Sequence, residues 1–297
     1  MNTTVNGMAS GMTASPPLLA ARLGVRRGFI EMGHSLSNRA DQIWMVMINA
    51  AFVLVLVFQR DSDLAGTGFS LALATLPGLI GMNVAMGGWM GTAQMLAVER
   101  EDGTLLRAKS TPHGMVGYLV ARITLAILNT LLGLVIFVVA GLFLLPSLAD
   151  VPITGWIMLF AVFFAGMLAT MPWGAIVGAS VKSSSAGFGL SFLPMVILIT
   201  ISGIFYPITG MPDWLHPVAL VFPVYWLGAG MRDALLPEAA GAAELGGQFH
   251  TWETFAVLGF WAVVGLALAP RVLRAMARRE SGSAVESRKQ AAMQAWS

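Results

Sequence analysis

The sequence predicts an all-α integral membrane protein. Its six transmembrane helices are preceded by an N-terminal interfacial helix, and an extracellular re-entrant helical hairpin stands between spans 5 and 6. Three observations lead there. The 297-residue chain is 57% hydrophobic and only 11% charged, against roughly 25% charged in soluble domains. Six apolar stretches approach or exceed the roughly 20 residues a helix needs to cross a bilayer. And 15 of the 17 Lys and Arg residues fall on one side of those stretches, which sets the orientation by the positive-inside rule.

In chain order, residues 1–21 are polar and Gly/Ser/Thr-rich at their start, with no basic region ahead of an apolar core. They read as a disordered cytoplasmic tail rather than a signal peptide. Arg22–Arg39 is amphipathic and suits an interfacial helix with its arginines in water. The spans follow at Gln42–Gln59, Phe69–Val98, Met115–Leu145, Thr154–Val181, Ala186–Phe205 and Thr251–Val272. Residues 22–279 form one membrane domain, and 280–297 a second polar tail.

Basic residues cluster before the first span (Arg22, Arg26, Arg27, Arg39), after the second (Arg100, Arg107, Lys109, with Arg122 just inside the third) and at Lys182. Six more end or follow the last span, and only Arg60 and Arg232 oppose them. Both termini are therefore expected in the cytoplasm. All but three of the basic residues are Arg, and Gly and Ala are abundant, which points to a bacterial plasma membrane.

The stretch Tyr206–Pro217 reads YPITGMPDWLHP and places prolines at Pro207, Pro212 and Pro217. The chain then turns apolar again through Val218–Met231, interrupted at Pro223. Fourteen apolar residues with an internal proline are too few to cross. A seventh span would also carry the basic C-terminus outside. So Tyr206–Met231 is expected to dip into the outer leaflet and return, since broken backbone survives at membrane depth only where protein satisfies its amides.

Several chemistries are excluded. Cysteine is absent, which removes disulfides, thiolate zinc sites and thiol catalysis. None of Lys109, Lys182 and Lys289 follows a glycine, so there is no phosphate-cradling P-loop. No H-E-x-x-H or Ser–His pairing is suggested within a span, and no catalytic, metal or cofactor site is expected. Within the spans the ionisable residues are Arg122, Glu253 and Arg271, all near ends from which they can snorkel. A proton- or ion-coupled transporter needs such groups near the midplane. Asn49, Asn83, Gln94, Asn129, Thr130, Ser191 and Thr200 read as interhelical hydrogen-bonding residues. Gly87 and Gly91 are spaced for close helix contact.

The loop Val98–Pro112, VEREDGTLLRAKSTP, sets acids before bases across a short amphipathic turn, an order that suits a helix dipole. Composition alone leaves a solvated loop and a docking element equally open. The loop resembles the E-R-E-x-G-T-L…T-P segment of the ABC-2 family of ABC transporter permeases. Leu198–Leu236, LITISGIFYPITGMPDWLHPVALVFPVYWLGAGMRDALL, resembles that family's C-terminal signature. One departure is Phe222 before Pro223, where many members carry Asn.

The resemblance implies two permease chains, identical or different, each joined by a separate cytoplasmic ATPase subunit that binds the ATP. It implies that Glu99, Arg100, Glu101, Gly103, Thr104, Arg107, Thr111 and Pro112 form the coupling loop. Pro207, Met211, Pro212, Trp214, Pro217, Pro223 and Tyr225 would belong to the extracellular gate. Partners would be the lipid bilayer and those subunits, with no nucleic acid. The expected activity is export of a hydrophobic small molecule or antibiotic. With only Tyr118, Tyr206 and Tyr225, and abundant Phe, Met and Trp, the composition leans from a glycan or lipid-linked polymer towards an apolar cargo. An ATP-independent channel and a membrane scaffold for another enzyme are the other classes.

Overall fold

The computed structural model describes residues 16–62, 70–111, 113–181, 183–205 and 208–279. The remainder of both tails, residues 63–69 (with Phe69, the expected start of the second span), Pro112, Lys182, Tyr206 and Pro207 lie outside the described residues. Among the described residues the main elements are α-helices: α1 Pro16–Ser37, α2 Arg39–Gln59, α3 Leu71–Met86, α4 Thr92–Glu101, α5 Thr104–Lys109, α6 Gly114–Leu144, α7 Ile153–Ser180, α8 Ser184–Ile201, α9 Leu215–Val221, α10 Pro223–Leu235 and α11 Thr251–Arg279.

Among the described residues five helical rods are long and apolar enough to cross a membrane: Leu71–Glu101, α6, α7, α8 and the Thr251–Met276 part of α11. The apolar part of α2, Met45–Gln59, is shorter. At 1.5 Å per residue it covers about 22 Å, less than the roughly 30 Å of a hydrocarbon core.

Leu71–Glu101 is one rod because α3 and α4 are joined by a π-bulge at Gly87–Gly91. The bulge inserts a residue and rotates everything beyond it. Gly87 and Gly88 consequently meet Thr130 of α6 and Thr170 of α7, where any Cβ would overlap the hydroxyl. Gly91, expected on the same face as Gly87, instead faces open space. The i, i+4 expectation failed because it assumed uninterrupted α-geometry.

The polar residues inside the rods behave less uniformly than expected. Asn83 bridges two helices, its Nδ2 donating to the Thr130 carbonyl at 2.8 Å. Asn49, Thr130 and Thr200 bond carbonyls four residues back on their own helices. A hydroxyl that caps its own helix costs nothing to bury and needs no neighbour.

The N-terminal helix starts at Pro16, ahead of the boundary expected at Arg22. Two prolines open it, where a missing amide proton does no harm, and Leu18 and Leu19 continue its apolar face. Gly24 stands against the Gly117 carbonyl and Gly28 against Thr124, so α1 runs lengthwise and parallel to the start of α6.

The helix α10 lies at the centre of the bundle, buried on nearly every side against α3, α7 and α11. Gly155, Val162 and Gly166 of α7 meet Ala234, Gly230 and Leu227 of α10 in reverse order, so the two helices are antiparallel. The N-terminal end of α10 is therefore the deep end. Phe222, at the break between α9 and α10, stacks on Trp261 with centroids 5.8 Å apart. Trp261 stands ten residues, about 15 Å, along α11 from Thr251.

Candidate functional site

The residues expected to couple and to gate fall in two places, one at each end of the bundle. At the basic end, α4 stops at Glu101 and the chain turns through Gly103, whose φ of 78° favours glycine. Asp102 then caps α5, its Oδ1 accepting from the Thr104 amide at 2.8 Å. Leu105 is buried with Leu96, Tyr118, Ala179 and Met276, which fixes the inner face of α5. Arg107 is left exposed, as are Asp102, Ser110 and Thr111. The Ser110 and Thr111 hydroxyls donate back to the Arg107 and Ala108 carbonyls at 2.8 and 3.1 Å and close the turn.

The three charges ahead of the turn point inward instead. Nη1 of Arg100 donates to the carbonyls of Ala179 and Val181 at 2.8 and 2.7 Å, and so caps the end of α7. Oε1 of Glu101 accepts from the Ser184 amide at 2.7 Å, at the start of α8. The Glu101 side chain is half-buried, with the α7–α8 connection folded back onto it.

Glu99 is 7% exposed and sits in a cluster that spans three helices. It accepts from the Tyr118 hydroxyl of α6. Nε of Arg122 stands 2.6 Å from Glu99 Oε1 as an ion pair, without the alignment of a hydrogen bond. Nη1 of Arg122 reaches Glu31 of α1 at 2.5 Å, and Glu31 also pairs with Arg27 at 2.7 Å. The Arg122 guanidinium lies 5.7 Å from the centre of the Tyr118 ring. Arg122 therefore does not snorkel to water. It is held by two carboxylates, one contributed by a helix that the sequence placed apart. Glu31 was missed because nothing in its own neighbourhood marks it; only an unpaired Arg in an apolar span hinted that an acid must come from elsewhere.

At the other end, the hairpin of α9 and α10 solves its broken backbone with indoles. The Leu220 carbonyl accepts from Trp226 Nε1 and the Val221 carbonyl from Trp261 Nε1, both at 2.8 Å. Trp173 Nε1 donates to the Trp261 carbonyl at 3.1 Å. Pro223 occupies the first turn of α10, where its ring costs no hydrogen bond. Met211 and Tyr225 are buried, whereas Pro212, Trp214 and Pro217 are exposed.

The Tyr225 hydroxyl donates to Glu244 Oε2 at 3.3 Å. Arg232 Nη2 donates to the same oxygen at 3.1 Å, and its Nε bonds Glu244 Oε1. Arg232 Nη1 also donates to the Gly203 carbonyl at 3.3 Å, which ties α10 to the end of α8. This buried pair was not anticipated from sequence. It also removes Arg232 from the count of free charges opposing the basic end, leaving Arg60, which pairs with Asp61 at 3.3 Å.

Among the described residues no three metal-binding side chains converge. Residues 46–270, more than half of the chain, match a protein family described as ABC-2 family transporter protein. A comparison with curated proteins finds no match.

Proposed function

The chain belongs to the ABC-2 transporter family and is a multi-pass permease subunit of an ABC transporter; on that premise we propose that it exports a hydrophobic small molecule or antibiotic, driven by ATP hydrolysis in a partner subunit. The family supplies the transport role, and catalysis does not reside in a subunit of this kind.

One observation carries the reading of the cargo. Along the rods the ionisable side chains pair with each other at the two ends, in the Glu31–Arg122–Glu99 cluster and the Arg232–Glu244 pair. The surface between those ends is aliphatic and aromatic, as on α8, where Phe188 and Phe192 stack at 5.2 Å. Such a surface offers a charged cargo no partner and an apolar cargo a continuous path.

The remaining parts follow in the same reading. Six spans cross the membrane, with α2 met by locally thinned lipid, and both termini face the cytoplasm. The Tyr206–Met231 hairpin re-enters from outside and closes the outer end of the path. The depth of Phe222 beside Trp261 supports this. Arg107 and Asp102, exposed on and beside α5, meet the ATPase subunit. A second permease chain completes the path, consistent with the broad exposed apolar faces of α2 and α8.

The test is reconstitution of this chain with its partner ATPase in proteoliposomes and measurement of nucleotide-dependent flux of an uncharged apolar fluorescent dye. Flux that requires ATP supports an exporter. Equal flux without nucleotide would establish a channel instead.

A further inference from the structure

At the basic end a cleft of about 220 Å³ opens between α6 and α11, with α4 and α7 as its floor. Leu119 and Ile123 form one lip and Leu266 the other, and all three are partly exposed. Leu168 of α7 is 54% exposed between them, so the cleft opens sideways and not along the bundle axis. Met95, Met167 and Met171 line the interior, where flexible thioether side chains adapt to an irregular occupant. No polar atom is presented to the space.

The end of α11 beside this cleft carries charge of one sign. Pro270–Arg279, the end of α11, carries Arg271, Arg274, Arg278 and Arg279 and no acid. Arg122 on the opposite wall is already held by two carboxylates, and Arg271 bonds the Ala267 carbonyl at 2.7 Å. Arg274, one residue past the cleft-lining Leu273, is exposed and makes no ion pair among the described residues.

We propose that this cleft is a site for one anionic phospholipid, with an acyl chain between α6 and α11 and its headgroup at Arg274. Three features select that occupant. The space is smaller than the roughly 300–1,000 Å³ of sites for drug-sized ligands, so a slender chain fits and a fused ring system does not. It opens laterally, towards lipid. And it lacks any polar atom to orient a free cargo, whereas a lipid is oriented by its phosphate on the neighbouring arginine. The cleft is walled by Tyr118 and Arg122, which also hold Glu99, so the lipid would buttress the helix that leads into α5. That this leaflet is the cytoplasmic one rests on the orientation proposed above; the site itself does not.

Native mass spectrometry of the full purified chain, mixed with phosphatidylglycerol or phosphatidylcholine, reads the site directly. We expect one phosphatidylglycerol retained per chain, preferred about tenfold over phosphatidylcholine. Leu266→Trp and Leu168→Trp, which fill the mouth from two different helices at half-exposed positions, should each lower retention about tenfold. Arg274→Gln should remove the headgroup preference while a chain is still bound. Phe143→Trp, on the exposed outer part of α6, should change nothing. Equal retention of the two lipids by the unaltered chain overturns the proposal. So does undiminished retention in both mouth-filling variants. The measurement needs no ATPase, so its failure leaves the export reading standing.

Discussion

Replacing Arg122 by Met removes a guanidinium from between two carboxylates while keeping an unbranched apolar stem in its place. The Glu99 side chain is 9% exposed and that of Arg122 13%, so the pair they form is buried. Leaving one partner of such a pair uncompensated costs about 3–5 kcal/mol. Glu31 contributes little to that figure. Its side chain is 23% exposed, Arg27 still holds it, and pairs of that kind are worth at most about 1 kcal/mol. The Tyr118 hydroxyl continues to donate to Glu99 and softens the loss. The lower end, about 3 kcal/mol, is therefore expected.

The assay is thermal unfolding of the detergent-solubilised chain, followed by its abundant tryptophan fluorescence. Arg122→Met should lower the midpoint well outside error. The double variant Arg122→Met with Glu99→Gln should recover most of the loss, because a neutral pair leaves no buried charge uncompensated. A neutral single substitution would refute the reasoning. So would a double variant as unstable as the sum of its parts, since the charges would then act independently.

The other predictions address the coupling loop, the hairpin and the partner. Arg107→Glu should leave stability within about 0.5 kcal/mol, as for other surface changes, yet reduce co-purification of the ATPase and transport. Glu101→Gln should cost about 1 kcal/mol, as the loss of a helix cap does, because it loosens its bond to the Ser184 amide; pull-down and thermal unfolding together separate the two. Gly81→Ala would set a Cβ 2.9 Å from the Gly228 amide nitrogen, and overpacking of that kind costs about 1–3 kcal/mol. Gly91→Ala, in open space, should be tolerated in the same unfolding assay.

In this cysteine-free chain, Asp213→Cys should react in intact cells with an impermeant maleimide. Ser287→Cys should react only after lysis, and Trp226→Cys slowly or not at all. Preferential labelling of Trp226→Cys from the cytoplasm would remove the re-entrant hairpin. The isolated chain should hydrolyse no ATP, since it lacks a phosphate-cradling loop, and robust turnover by a contaminant-free preparation would sink the permease reading.

The sequence by itself determined the membrane class and, within a few residues, the position of each long rod. It also marked the break near Phe222–Pro223. These follow from composition and from the fixed rise of a helix, which act residue by residue and need no neighbour. It could not place Gly91 away from Gly87, because one inserted residue in a π-bulge rotates the face and carries no compositional mark. Nor could it pair Arg122 with Glu31, 91 positions away, or Arg232 with Glu244. Nor could it show that Glu99, Arg100 and Glu101 bond to α6, the end of α7 and the start of α8. Only the tertiary structure decided these points. A buried charge is stable only beside its counter-charge, and which helix brings that counter-charge depends on how the rods pack across the chain.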